Sequence, residues 1–68
     1  MTIRDLINQF EIQGAFCIKK WIWEEEDYII LAEGHDFEYD RCNISRNIMT
    51  SKIGYMYAVD GILNIEVE

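Results

Sequence analysis

The sequence predicts an α+β fold: an N-terminal helix packed on an antiparallel sheet of two β-hairpins, with about four strands in all. Apolar residues recur at helical spacing only near the start of the chain, and they alternate with a period of two over much of the remainder. The pair Asp60-Gly61 separates two alternating segments, as in a tight hairpin turn. Because the 68 residues contain no proline, repeat or linker-like stretch, we expect one domain over residues 1–68.

The start of the chain has the pattern of a short helix. Thr2 is suited to cap the first free amide groups, and Asp5 falls near the positive end of the helix dipole. Apolar residues at positions i, i+3, i+4 and i+7 then form a stripe that would face the core. The members of this stripe are Ile3, Leu6, Ile7 and Phe10.

A first hairpin is predicted over residues 12–33. Residues 12–23 alternate as a long strand whose two faces are both partly apolar, which is typical of a central strand, and Gly14 is suited to a bend or bulge. The run Glu24 to Asp27 is the polar loop, and Tyr28 to Glu33 form the second strand. Four adjacent carboxylates repel one another, so this loop must face solvent or a cationic partner.

The middle of the chain, residues 34–52, has a weaker pattern. Gly34 interrupts the second strand, after which Phe37 and Tyr39 alternate with acids. This alternation fits either a short edge strand or an extended loop with both rings turned inward. From Arg41 to Lys52 we predict a loop that can hold one helical turn capped by Asn43.

The second hairpin is the clearest local feature. Asp60-Gly61 favours a type I′ turn, because both central positions of that turn need positive φ. Pairing across the turn places alternate residues on opposite faces, and the first face is expected to pack on the helix. The first face pairs Ala58 with Leu63, Met56 with Ile65 and Gly54 with Val67; the second pairs Tyr57 with Asn64 and Tyr55 with Glu66.

Charge is the main functional clue. The chain has thirteen acids, six lysines and arginines, and a net charge of −7, which disfavours direct binding to nucleic acid. Eight of the acids lie between Trp21 and Asp40, a stretch without lysine or arginine, and they are interleaved with aromatic rings. These acids are Glu24, Glu25, Glu26, Asp27, Glu33, Asp36, Glu38 and Asp40.

No pattern of catalytic residues accompanies the acids, so neither enzyme activity nor a cofactor or metal site is expected. His35 is the one histidine, Cys17 and Cys42 lack a metal-binding spacing, and the glycines form no phosphate-binding loop. Two cysteines favour the cytoplasm, although a Cys17–Cys42 bridge stays open. The longest apolar run, Ile29 to Ala32, is too short to span a bilayer, and no secretion signal is evident.

The acidic stretch has three interpretations. Its charge can keep a small protein soluble; it can imitate nucleic-acid phosphates and bind a basic protein surface; or, least favoured because no calcium-loop spacing is present, it can bind divalent cations. The second interpretation is our working prediction, with no direct nucleic-acid or membrane binding. The alternative is a homodimeric accessory protein joined by its aromatic faces. The partner-binding residues predicted are Glu24, Glu25, Glu26, Asp27, Asp36, Glu38, Asp40, Trp21 and Trp23.

Both ends of the chain also carry a family resemblance. The opening MTIRDLINQF and the closing IGYMYAVDGILNIEVE resemble a group of small acidic proteins encoded on mobile elements of Gram-positive gut bacteria. The resemblance implies a neighbourhood of conjugative or phage genes. Small acidic proteins in that setting are often inhibitors of host defence, including anti-CRISPR and anti-restriction proteins, so an inhibitory role is expected by association alone.

Overall fold

A computed structural model describes residues 1–37 and 44–68 of the chain. Two hairpins lie side by side in one sheet, and a helix covers one face of it. The helices are α1 (Ile3–Gln9) and α2 (Arg46–Met49), and the strands are β1 (Ala15–Ile22), β2 (Asp27–His35), β3 (Ile53–Val59) and β4 (Ile62–Val67). The strand order is β2-β1-β4-β3, which confirms the predicted α+β class with its two hairpins.

The two hairpins join through β1 and β4, and this pair is parallel. The sheet is therefore mixed, whereas the sequence predicts antiparallel pairing throughout. Parallel neighbours need a long crossover connection, and the chain between β2 and β3 provides it by passing from one edge of the sheet to the other. The prediction that the first strand is central is confirmed.

The core lies between α1 and the inner face of the sheet, which we define as the face that carries Phe16 and Ile18 of β1. Ile3 and Leu6 of the helix pack into the same buried cluster as these strand residues. Burial of this apolar surface holds the layers together. The buried members of the cluster are Ile3, Leu6, Ile7, Phe16, Ile18, Phe37, Ile44, Ile65 and Val67.

The N-terminus of α1 is capped as predicted. The Asp5 amide donates to the Thr2 hydroxyl at 3.2 Å, and the Thr2 amide donates to the Asp5 carboxylate at 3.0 Å, which forms a capping box. Phe10, however, does not extend the buried stripe: its ring is 57% exposed. The helix ends at Gln9, and Phe10 takes an extended conformation with φ −134° that turns it away from the buried face.

The first hairpin forms with boundaries different from those predicted. β1 starts at Ala15 rather than at Ile12, after Gly14 at φ +89° provides the predicted bend. Its loop comprises residues 23–26, one position earlier than predicted, so Trp23 lies in the turn and Asp27 begins β2. A bulge between Ile18 and Lys19 shifts the register partway along the hairpin.

The second hairpin turns at Asp60 and Gly61 with φ of +52° and +76°, as a type I′ turn requires. The predicted register is confirmed up to the pair of Tyr55 with Glu66. Beyond it the prediction is wrong: Ile53, not Gly54, pairs with Val67, because a bulge at Gly54 adds one residue to β3.

Only part of the first face of this hairpin packs on the helix. Ile65 and Val67 of β4 are buried, whereas Met56 of β3 is 48% exposed, since α1 does not reach the edge strand.

The short helix allowed in the middle segment is present, and Ser45 caps it by accepting from the Ile48 amide. The predicted cap Asn43 lies outside the described residues, as does Tyr39. Phe37 is buried, which agrees with the second of the two alternatives for this segment, in which the ring turns inward. Within residues 1–37 and 44–68, no helix has the length and apolar character needed to cross a membrane.

Candidate functional site

The tip acids, which we define as Glu24, Glu25, Glu26 and Asp27, are all exposed: the glutamates lie in the β1–β2 turn, and Asp27 begins β2 directly after it. The turn closes through backbone bonds from the Glu25 amide to the Ile22 carbonyl at 3.2 Å and from the Glu26 amide to the Trp23 carbonyl at 3.3 Å. Glu26 takes positive φ at +51° to complete it. Backbone geometry therefore holds the four carboxylates at one end of the sheet.

Within the part of the chain that the structure describes, none of the tip acids pairs with a lysine or arginine. The Asp27 carboxylate accepts a hydrogen bond from the Tyr28 amide at 2.7 Å, which orients that side chain alone. The glutamates have no such anchor. Their charge remains available to an external cation.

Aromatic side chains adjoin the tip acids. We name Trp21, Trp23 and Tyr28 the ring cluster: the Trp21 and Trp23 centroids are 5.7 Å apart at 82°, and those of Trp21 and Tyr28 are 4.9 Å apart at 72°. Such edge-to-face contacts fix the rings relative to one another. Trp23 nevertheless stays 80% exposed, so its ring can contact a partner.

The structure does not bring all the predicted acids together. Asp36 follows the far end of β2, about 30 Å along the strand from Asp27 at ~3.3 Å per residue. Its carboxylate accepts from the Gly14 amide at 2.7 Å, so it closes the loop before β1. Glu33 lies near that same end of β2, paired with Cys17. Glu38 and Asp40 lie outside the described residues.

The acids that are close together in the sequence therefore lie in at least two separate regions of the structure. The tip acids and the ring cluster form one contiguous surface, while Asp36 has a local structural contact. A strand separates sequence neighbours by its length, which a count of charges along the chain does not reveal.

The outer face of the sheet, opposite the helix, holds a network that sequence reasoning missed. The Lys19 ammonium lies 4.6 Å from the centroid of the Tyr28 ring and 5.4 Å from that of Tyr57. Hydrogen bonding to Tyr57 raises the pKa of Lys19, although partial burial opposes the shift. Hydrogen bonding to Glu66 raises the pKa of Tyr28. Lys19 and Trp21 are two positions apart on one strand, so their side chains share a face, and this spacing is the signal that could have indicated the cluster.

An open groove of about 690 Å³ runs from the ring cluster towards β3. Rings form much of its wall, and the carboxylates of Glu66 and Glu68 add negative charge. Lys20 also lines it, so the groove is not purely anionic. Rings beside carboxylates form a surface suited to a cationic side chain. The full lining is Lys20, Trp21, Trp23, Tyr28, Gly54, Tyr55, Glu66, Val67 and Glu68.

The other chemically capable side chains lie apart from this surface. Cys17 is a partly buried thiol on the outer face with no disulfide to a described residue, and Cys42, its partner in the bridge left open above, lies outside the described residues. Burial of Cys17, and then the nearby Glu33 carboxylate, raises its pKa, which disfavours the reactive thiolate. His35 ends β2. Among residues 1–37 and 44–68, no three His, Cys, Asp or Glu side chains converge as a metal site would require.

No protein-family model matches the chain, and comparison with curated proteins and with solved structures gives no significant match either.

Proposed function

We propose that this chain is a non-enzymatic interaction protein whose tip acids and ring cluster bind a basic surface on a partner protein, in the manner of a nucleic-acid mimic. The observation that carries the proposal is the position of four exposed carboxylates, free of the chain's own described lysines and arginines, beside the exposed ring of Trp23. The partner class that fits is a host-defence or DNA-binding protein with a cleft rich in lysine and arginine. We place its action in the cytoplasm, because a chain with only two cysteines has no disulfide framework of the kind that small secreted domains carry.

Electrostatics supports such binding. Four adjacent negative charges create a local potential that speeds encounter with a positive cleft and selects against acidic partners. In such a complex, arginine side chains of the partner pair with the tip glutamates and stack on Trp23, because guanidinium groups favour both carboxylates and aromatic faces.

The extent of the proposed mimicry is limited by the distance between Asp27 and Asp36. The tip acids can replace a short run of phosphates, whereas Asp36 is too distant to belong to the same contact. The proposed contact is therefore the insertion of a hairpin tip into a cleft.

A charge-matched pair of variants tests the proposal. The tip variant is Glu24→Gln, Glu25→Gln and Glu26→Gln; Asp27 is kept because it accepts from the Tyr28 amide. The control variant, Glu11→Gln, Glu33→Gln and Asp60→Asn, changes the net charge by the same amount at exposed sites away from the tip. Each is used as bait in Gram-positive host extracts at low and high salt, and captured proteins are quantified by mass spectrometry.

We expect the natural chain and the control to capture the same basic protein, with weaker capture at high salt. The tip variant should capture at least about tenfold less of that protein. Equal loss in both variants would mean that net charge alone matters. Retention by the tip variant would exclude the tip as the binding site.

The rival function is a homodimeric accessory protein whose acids serve only solubility. The observation in its favour is the exposed ring surface on the outer face, where Tyr55 is 71% exposed. Under this alternative the tip variant keeps its oligomeric state and its activity in cells but becomes less soluble. Partner capture and solubility measurements on the same two variants distinguish the two functions, because only a nucleic-acid mimic loses its captured protein when the tip glutamates are neutralised.

A further inference from the structure

Over residues 55–59, no described part of the chain protects the edge strand β3 against pairing with another strand. It is the last strand of the sheet, and residues 53–59 contain no charged side chain and no proline. Its residues are exposed on both faces, with Met56 at 48% on one face and Val59 at 50% on the other. Natural edge strands usually carry charges, prolines, bulges or covering segments, so an uncharged stretch that no described residue covers indicates a missing neighbour.

The opposite edge, β2, differs in this respect. It carries Asp27 at one end and Glu33 near the other, and it adjoins the tip acids. Two copies meeting along β2 would bring these like charges together. The contrast indicates that β3 is the edge adapted for contact.

Backbone geometry shows which groups of β3 are free. Val59 and Ile62 flank a two-residue turn, so they form a hydrogen-bonded pair. Hydrogen-bonded pairs recur at every second residue of an antiparallel ladder, so the backbone groups of Tyr57 and Tyr55 also bond to β4. The amide and carbonyl groups of Met56 and Ala58 therefore point away from the sheet.

The edge is blocked beyond this stretch. The Ile53 amide donates to the Met1 carbonyl at 2.9 Å, so the N-terminal residue occupies the edge there. Gly54 is part of a bulge. The free stretch is consequently short and centred on Tyr57.

We propose that β3 pairs antiparallel with β3 of a second copy, about a two-fold axis that passes beside Tyr57. Met56 then faces Ala58 of the second copy and Ala58 faces its Met56, which satisfies all the outward amide and carbonyl groups of both residues with four hydrogen bonds. Tyr57 meets its own counterpart across the axis, and Tyr55 meets Val59. No other two-fold position uses every free group while leaving Met1 in place.

This pairing joins two four-stranded sheets into one continuous sheet and places both helices on the same side. The two copies of β1 are separated sideways by five strand spacings, about 24 Å, and the two acidic tips lie still farther apart, because the antiparallel pairing places them towards opposite ends of the joined sheet. That separation exceeds the ~8 Å screening length at physiological salt, so repulsion between the two tips is weak. The inference does not depend on the proposed function, because β3 and the tip are distinct surfaces.

Proline and alanine at one position test the backbone contribution. Both Met56→Pro and Met56→Ala remove the methionine side chain, but only Met56→Pro also removes the outward amide N–H. Proline is tolerated at an edge where the amide faces solvent. Sedimentation equilibrium over a range of concentrations measures the dimer Kd. We expect Met56→Pro to weaken dimerisation at least about thirtyfold more than Met56→Ala, from two lost hydrogen bonds at about 1 kcal/mol each.

Disulfide trapping tests the register and does not depend on whether the proline variant folds. In a chain whose native cysteines are replaced by serine, Tyr57→Cys puts two thiols across the axis at a Cα separation of about 4.5 Å, within disulfide reach. Val59→Cys is the control, because its two copies lie four residues apart, about 13 Å. We expect rapid covalent dimers from Tyr57→Cys only.

The inference is overturned if the natural chain is monomeric at all concentrations tested, or if Met56→Pro and Met56→Ala dimerise equally. It is also overturned if Val59→Cys cross-links as fast as Tyr57→Cys. Loss of partner capture in the tip variant with an unchanged dimer Kd would support the proposed function and leave this pairing intact.

Discussion

The phenyl rings of Phe16 and Phe37 stack with their centroids 4.0 Å apart and their planes 13° from parallel. Phe16 belongs to the central strand β1, and Phe37 follows the edge strand β2 by two residues. The stack attaches the residues directly after β2 to the core. The neighbouring amides reinforce it, since Asp36 and Phe37 donate to the carbonyls of Gly14 and Ile12 at 2.9 and 3.2 Å.

We predict that Phe37→Ala is among the most damaging single substitutions. Phe37 is 1% exposed, so alanine leaves a cavity beside Phe16, and the free energy of unfolding should fall by about 3–5 kcal/mol. Urea denaturation followed by far-UV circular dichroism measures this. Phe10→Ala is the control: with its ring 57% exposed, the change should stay within about 1 kcal/mol. Similar losses in both variants would show that the Phe16 stack contributes little.

The turn at Gly61 provides a prediction about backbone strain. Gly61→Ala meets no atom within 4 Å of the added methyl group, so its cost comes from φ +76° alone and should be about 1–2 kcal/mol. Gly54→Ala is the matched control, because its methyl group would lie 3.5 Å from the Glu66 carbonyl oxygen at ordinary contact distance, without positive φ. Thermal melts compare the two. A larger loss at Gly54 would mean that the bulge, not the turn, is the more demanding site.

The contact of Tyr28 with Glu66 predicts a change in stability at alkaline pH. Because the hydrogen bond to Glu66 favours the neutral phenol, the pKa of Tyr28 is raised above its ordinary value of 10.0 in the folded chain. Its stabilising contribution is therefore complete below about pH 10 and is lost as pH rises through the folded pKa. Tyr28→Phe removes a tyrosine that ionises at raised pH, so the tyrosinate absorbance titration of the remaining tyrosines should shift to lower pH. Tyr55→Phe is the control, and an identical effect in both variants would contradict the assignment.

The capping box predicts a change in stability at acidic pH. Hydrogen bonding to the Thr2 amide, and then to its hydroxyl, lowers the pKa of Asp5 from 3.8. A lowered pKa means that the contribution is present above the unfolded value and disappears as pH falls through the folded value. Asp5→Asn should thus be less stable than the natural chain near neutral pH, and the two stability curves should converge in acid. Glu11→Gln is the control; curves that stay parallel down to low pH would exclude this role for Asp5.

Local signals in the sequence predicted the elements well. The Thr2 and Asp5 cap, the bend at Gly14 and the positive φ of Asp60 and Gly61 depend on a few adjacent residues, and all are confirmed. These features require only short-range hydrogen bonds and steric limits, which neighbouring side chains specify.

Long-range features were predicted less well. The bulge at Gly54 displaced the last pair of the second hairpin, and the shift of the first turn moved Trp23 off the strand. The parallel seam between β1 and β4 has no local signal, because either orientation buries Phe16 and Ile65 on the same face.

For the candidate site, the sequence by itself determined that negative charge is concentrated between Trp21 and Asp40 and that a turn exposes part of it. Only the tertiary structure decided that Asp36 belongs to a different end of the molecule and that Lys19 lies among the rings. It also decided that β3 is an edge. The physical reason is that charge and turn propensity are properties of adjacent residues, whereas distance between sites and exposure of an edge depend on which strands pair across the sheet.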